Sequence, residues 1–145
     1  MKRRNVLKYL GSSAIILSGF LKPLSVLAKW NQSAFDATDY NTAINDYFPN
    51  MQFYQTDKIT ISVHPVIENG AVVPVKIKTD LPKPESITIF VDKNPTPLIA
   101  NFDLYPGSLG FVSTRIKMEN PSNIIAVVKS DDKLYMTKTF VEVHE

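Results

Sequence analysis

The stretch AVVPVKIKTDLPKPESITIFVD, Ala71 to Asp92, decides the fold. In its first half Val73, Val75 and Ile77 alternate with Pro74, Lys76 and Lys78. A period of two puts the valines and isoleucine on one face of a strand and the polar residues on the other. LPKP then breaks the run, and SITIFVD (Ser86 to Asp92) starts a second strand. Pro74 cannot donate to a ladder, so its nitrogen must face an edge or a bulge.

The same period continues on both sides. KITISVH (58–64) alternates Ile59, Ile61 and Val63 with Thr60 and Ser62. LIANFDL (98–104) follows the NPTP turn. FVSTRIKM (111–118) alternates Val112, Thr114, Ile116 and Met118 with Ser113, Arg115 and Lys117. NIIAVVKS (123–130) is more continuously apolar, as a strand buried on both faces is. After the SDDK turn, KLYMTKTFVEVH (133–144) reads as a long final strand, with a bulge expected near Thr139. About seven strands at short intervals predict an all-β, immunoglobulin-like antiparallel sandwich. The Cys…Trp…Cys spacing of antibody domains is missing, so the likeness is one of architecture. One short N-terminal helix is predicted over residues 37–48. Ala37, Tyr40, Ile44, Tyr47 and Phe48 share a face, Asp36 or Thr38 caps the start, and Pro49 stops it.

The first 28 residues have a different character. Lys2, Arg3, Arg4, Lys8 and Lys22 all lie there, and no acid does. An apolar stretch of about 13 residues, Tyr9 to Leu21, is too short to cross a bilayer core of about 30 Å, so no stable membrane insertion is expected. Val26 and Ala28 suit the −3 and −1 positions of a signal cleaved between Ala28 and Lys29. RRNVLK, with Arg3 and Arg4 adjacent, resembles the twin-arginine export signature; an ordinary Sec signal is the alternative. The expected division is a leader at 1–28, an extension carrying the helix at 29–57, and a β-sandwich domain at 58–145. Export places the mature chain in the periplasm.

Charge and composition exclude several functions. Of 16 basic residues, five belong to the leader, leaving 11 against 14 acidic ones. A body of net charge about −3 argues against a nucleic-acid binder, which needs a basic footprint. With no cysteine among the 145 residues, they hold no disulfide, thiolate metal ligand or thiol nucleophile. His64 and His144 stand at separate strand ends without a second ligand at metal spacing. No nucleophile elbow or glycine-rich phosphate loop occurs. Asp131 and Asp132 read as turn formers. Arg115 is the one arginine inside an alternating strand, facing solvent or available to an anion on a partner. No catalytic residue, metal site or cofactor is expected, and the chain is not expected to be an enzyme.

ENGAVVPV (68–75), DKNPTPLIANFDL (92–104), STRIKM (113–118) and IIAVVK (124–129), with AFDATDY (34–40) before the helix, together resemble the SoxY family. This family carries sulfur in the periplasmic thiosulfate-oxidising Sox system. The resemblance covers nearly all of the mature chain. It implies an immunoglobulin-like fold, a heterodimer with a SoxZ-like β-sandwich partner, and contact with other Sox enzymes. It also implies a C-terminal Gly-Gly-Cys-Gly-Gly tail whose cysteine holds the sulfur. Glycines give such a tail reach, and an exposed thiolate gives it chemistry. Here no position matches that cysteine; it is expected after Glu145. The alternative is a tail-less paralogue that binds or assembles without carrying.

Overall fold

A computed structural model describes residues 31–144 of the chain. Arg3, Arg4, Ala28 and Lys29, the positions named for the expected export signal, together with Glu145, lie outside the described residues. The order is α1 (Gln32–Asp36), α2 (Tyr40–Tyr47), β1 (Phe53–Gln55), β2 (Ile59–Ser62), β3 (Val66–Ile67), β4 (Val73–Thr79), β5 (Pro84–Val91), β6 (Leu98–Asp103), β7 (Phe111–Ile116), β8 (Ser122–Ser130) and β9 (Lys133–Val143). A larger sheet runs β1-β9-β8-β5-β6, with β3 also on β9, and a smaller one runs β2-β4-β7. The two sheets form the expected sandwich, and the helices make a third layer outside the larger sheet.

Alternation builds both cores. From β8, Ile124, Ala126 and Val128 enter the core between the sheets, while Ile125 and Val127 enter the core under the helices. β5 does the same with Ile87, Ile89 and Val91 on one side and Phe90 on the other. Phe90 is fully buried and meets the rings of Tyr40 at 5.8 Å and Phe48 at 6.4 Å. Edge-to-face contact, as with Tyr40, adds to what burial already contributes. The small sheet is apolar only inward: β4 alternates buried and exposed along its whole length.

The seven expected strands are β2 and β4 to β9. Two further strands, β1 and β3, escape sequence reading because three and two residues cannot show a period. Both pair parallel with β9, at Leu134–Met136 and at Glu142–Val143, so the larger sheet is not purely antiparallel. The chain leaves β9 after β1, runs through β2 in the other sheet, and returns to β9 as β3.

The helix expected over 37–48 is α2, Tyr40–Tyr47, and a second short helix, α1, precedes it outside that range. Ala37 takes an extended conformation (φ −61°, ψ 135°) that breaks the path. Neither Asp36 nor Thr38 is the cap of α2. Asp36 ends α1 and accepts from the Gln32 amide at 2.7 Å, while the Asp39 carboxylate accepts from Thr42 N at 3.0 Å. Asn31 caps α1 through Ala34 N at 3.2 Å. The apolar face holds as expected, with Ile44 buried and Ala37, Tyr40, Tyr47 and Phe48 packed against the same core.

The expected bulge near Thr139 is absent, since β8 and β9 stay in register from Ser122↔Val141 to Ser130↔Lys133. An irregularity lies between β5 and β6 instead. Phe90 faces Leu98 and Ile89 faces Ala100, which leaves Ile99 as the extra residue. That extra residue reverses parity: Leu98 points to the helices, while Ile99 and Phe102 point between the sheets. Pro74 sits where its chemistry requires. Thr79 N–H donates to Gly110 O at 2.8 Å on the β7 side and Asp80 N–H to Lys58 O at 2.9 Å on the β2 side. By alternation the Pro74 nitrogen faces β2, whose pairing stops at Ser62 opposite Lys76.

The hairpin between β8 and β9 turns on Asp131 and Asp132, both left-handed at φ 56° and 59°. Two such residues between a Ser130↔Lys133 pair make a type I′ turn, which favours glycine second. Asp132→Gly is expected to raise the unfolding free energy by up to about 1 kcal/mol, read from the urea midpoint. Phe90→Ala, by contrast, removes the link between helices and sheet and is expected to cost about 3–5 kcal/mol in the same measurement.

Candidate functional site

The candidate site is the rim of the sandwich at which β9 ends. Four pieces of chain meet there: the connection before β4, the β5–β6 turn, the β7–β8 connection and the end of β9. Their joint is made of side chains and one glycine acting in place of ladder bonds.

Asn94, in the DKNPTP turn, is buried. Its Nδ2 donates to Lys117 O at 2.7 Å, and its Oδ1 accepts from Glu119 N at 3.1 Å. One side-chain amide thereby satisfies a donor and an acceptor of a segment it does not belong to. Asp92 works in parallel on β8. Its carboxylate accepts from Asn123 N and from Asn123 Nδ2, each at 2.9 Å. The turn itself is closed by Val91 N–H to Pro97 O at 2.8 Å and Asn94 N–H to Val91 O at 3.2 Å.

Gly70 brings in the third piece. Its carbonyl accepts from Met118 N at 2.8 Å. A Cβ there would lie 2.0 Å from Met118 O and 2.9 Å from a Val143 methyl. No larger residue fits without moving backbone. The end of β9 is pinned by Glu142 N–H to Pro65 O and His144 N–H to Ile67 O, both at 2.9 Å. Between these pieces lies an open cleft of about 540 Å³ whose walls include Glu68, Gly70, Lys117, Glu119, Val143 and His144. Lys117 and Glu119 pair across its side at 2.6 Å.

The residues singled out from sequence are not brought together. His144 lines the rim cleft, whereas His64 lines a separate recess with Ser62, Pro74 and Lys76. Arg115 is exposed on the outer face of β7 and has no ion pair among the described residues. Asp131 and Asp132 turn the hairpin at the opposite end of the sandwich. Among the described residues no three histidines or acids gather as metal ligands, and no buried side-chain polar atom lacks a partner. Two phenols are perturbed. Burial, and then the Asp92 carboxylate, raises Tyr40 above its ordinary value; burial, and then Asp103, raises Tyr47. Both stay protonated as part of the helix packing. Sequence reading assigned no role to Asp92, Asn94 or Gly70. Their signals were present in turn chemistry at DKNP and in a lone glycine of a chain with only five.

In architecture the chain is a helix-backed β-sandwich whose strand β9 ends at an open, polar rim. Comparison with known proteins narrows that class. The family model described as "Sulfur oxidation protein SoxY" matches residues 44–145. The sulfur carrier protein SoxY from Chlorobium limicola f thiosulfatophilum is 34% identical with a TM-score of 0.67, over 79% of this chain and 99% of that one. A superoxide reductase (neelaredoxin) from Ignicoccus hospitalis has a TM-score of 0.56 at 14% identity, over 63% of this chain and 94% of that one, and so shares the fold alone. No curated protein matches the chain. The chain belongs to the SoxY family.

Removing the rim's staples tests its construction. Asn94→Ala removes the partner of Lys117 O and Glu119 N at a part-buried site and is expected to cost about 1 kcal/mol. Gly70→Ala is expected to destabilise through the backbone overlap, with amide exchange speeding first at Met118 and Val143. Equal protection across all strands in Gly70→Ala would contradict a locally required glycine.

Proposed function

We propose that this chain is the body of a sulfur carrier in the oxidation of thiosulfate or related sulfur compounds. Membership of the SoxY family carries this reading, because its similar solved relative is described as a sulfur carrier protein. Covalent carriage needs a thiol, and the 145 residues contain none. The carrier cysteine is therefore proposed to lie after Glu145, on a tail leaving the rim at His144. The rim suits that role: β9 is held to its last residues by β3, so a tail would start from a fixed point. The partner is proposed to be a SoxZ-like β-sandwich protein in a heterodimer, with other Sox enzymes acting on the loaded tail.

The second reading is a module that pairs with the same kind of partner and assembles without carrying sulfur. Two measurements separate them. Sequencing the gene beyond codon 145 finds an in-frame or shifted Gly-Gly-Cys-Gly-Gly under the first reading and none under the second. Co-expression of the native gene product with the SoxZ-like protein, then exposure to thiosulfate and the loading haem enzyme, gives a mass adduct only under the first. Failure to form any complex contradicts both.

Periplasmic location is proposed through the leader at residues 1–28, cleaved between Ala28 and Lys29. Replacing Arg3 and Arg4 by lysine is expected to leave uncleaved precursor in the cytoplasm if export is by the twin-arginine route. Unchanged processing of that variant would assign the leader to the Sec route.

A further inference from the structure

The helices cover the larger sheet and leave the outer face of the small sheet bare. That face is a grid fixed by register. Lys78 stands between Thr60 and Phe111, Lys76 between Ser62 and Ser113, and Pro74 beside Arg115. All eight side chains are exposed. Three are cations, three are hydroxyls, and none is an acid. Ordinary solvent faces mix both signs, and the body as a whole is acidic, with 14 acids against 11 bases after residue 28. The positive charge is thus segregated. Edge protection against aggregation does not account for it, because Lys76 and Lys78 lie on β4, the central strand.

The surroundings leave the charge available. Lys78 has one partner, Asp80, at a loose 3.9 Å with both side chains about two-thirds or more exposed. Lys76 and Arg115 have no ion pair among the described residues. Where β2 leaves the sheet, Ser62, His64, Pro74 and Lys76 line a recess of about 390 Å³. It gives an otherwise flat face one concave point.

We propose that this face docks an acidic protein surface, with Lys76, Lys78 and Arg115 meeting its carboxylates and the serine and threonine hydroxyls filling the gaps between them. Strands about 4.8 Å apart and alternate residues about 7 Å apart spread the backbone positions of the cations over roughly 5 Å by 14 Å, and their long side chains widen that further. Such a spread suits several carboxylates on a rigid partner rather than one small oxoanion. A long nucleic acid would meet repulsion from the acidic remainder of the body. A membrane would need apolar insertion, and on this face only Phe111, at a corner, supplies it. The charge pattern is the same whatever cargo the protein carries, so the docking stands independently of the carrier reading.

Amide NMR titration of the chain as purified from cells, with hexaglutamate as the acidic probe, tests this. Shifts are expected at β2, β4 and β7 around Lys76, Lys78 and Arg115. K76E/K78E/R115E should weaken binding at least about tenfold, as should raising salt from roughly 0.05 to 0.3 M. Should the reversed variant lose its fold, K76Q/K78Q/R115Q is expected to show the same loss at about threefold or more. The control K93E/K138E, on the other sheet and its loops, should leave these shifts in place. Equal shifts from sulfate at matched charge, tighter binding of phosphatidylglycerol vesicles or a single-stranded hexanucleotide, or equal weakening in the control would each overturn the proposal.

Discussion

The larger sheet must bury both of its faces, and the rest of the structure follows from that requirement. β8 has five consecutive buried residues, Ile124 to Val128, which no two-layer arrangement could shelter. One face is closed by the small sheet and the other by two short helices. Each aliphatic side chain moved from water to such a core contributes about 1.5–3 kcal/mol. The helices are too short to persist alone. They exist because Phe90, Leu98, Ile125, Val127 and Leu134 offer Ala34, Ala43, Ile44 and the surrounding aromatics somewhere dry to lie.

Once that sheet is fixed, the ends of its strands are fixed as well, and the two ends differ in chemistry. At one end the β8–β9 hairpin turns tightly on two aspartates. At the other, four separate segments must be tied without forming a ladder. Asn94 and Asp92 imitate backbone partners, and Gly70 removes the side chain that would hold Met118 away. The rim is rigid for this reason, although it is made of loops.

Most of the architecture was legible because burial imposes a period of two on seven long strands. The inward and outward residues of β4 and β7 could be assigned from alternation alone, and the central place of β8 from its continuous apolar run. Legibility stopped where no period could exist. β1 and β3 are too short, and their parallel pairing with β9 depends on where the chain returns after β2. The start of α2 was displaced because several residues of this stretch can cap a helix, and it is the Asp39 carboxylate that accepts from Thr42 N. A register shift at Ile99 is set by the need to aim Leu98 at one core and Phe102 at the other.

The candidate site divides along the same line. By itself the sequence determined the sandwich, the family likeness, the lack of a thiol within 145 residues and the basic character of the first 28 residues, because these are properties of local pattern and composition. Only the tertiary structure decided that ENG, DKN, KMEN and the end of β9 meet at one rim. It alone placed His64 and His144 in different recesses, and lined up Lys76, Lys78 and Arg115 on a face without acids. The physical reason is register: hydrogen bonds between distant strands choose neighbours across a sheet, and nothing in the local spacing of a chain specifies which strand will lie beside it.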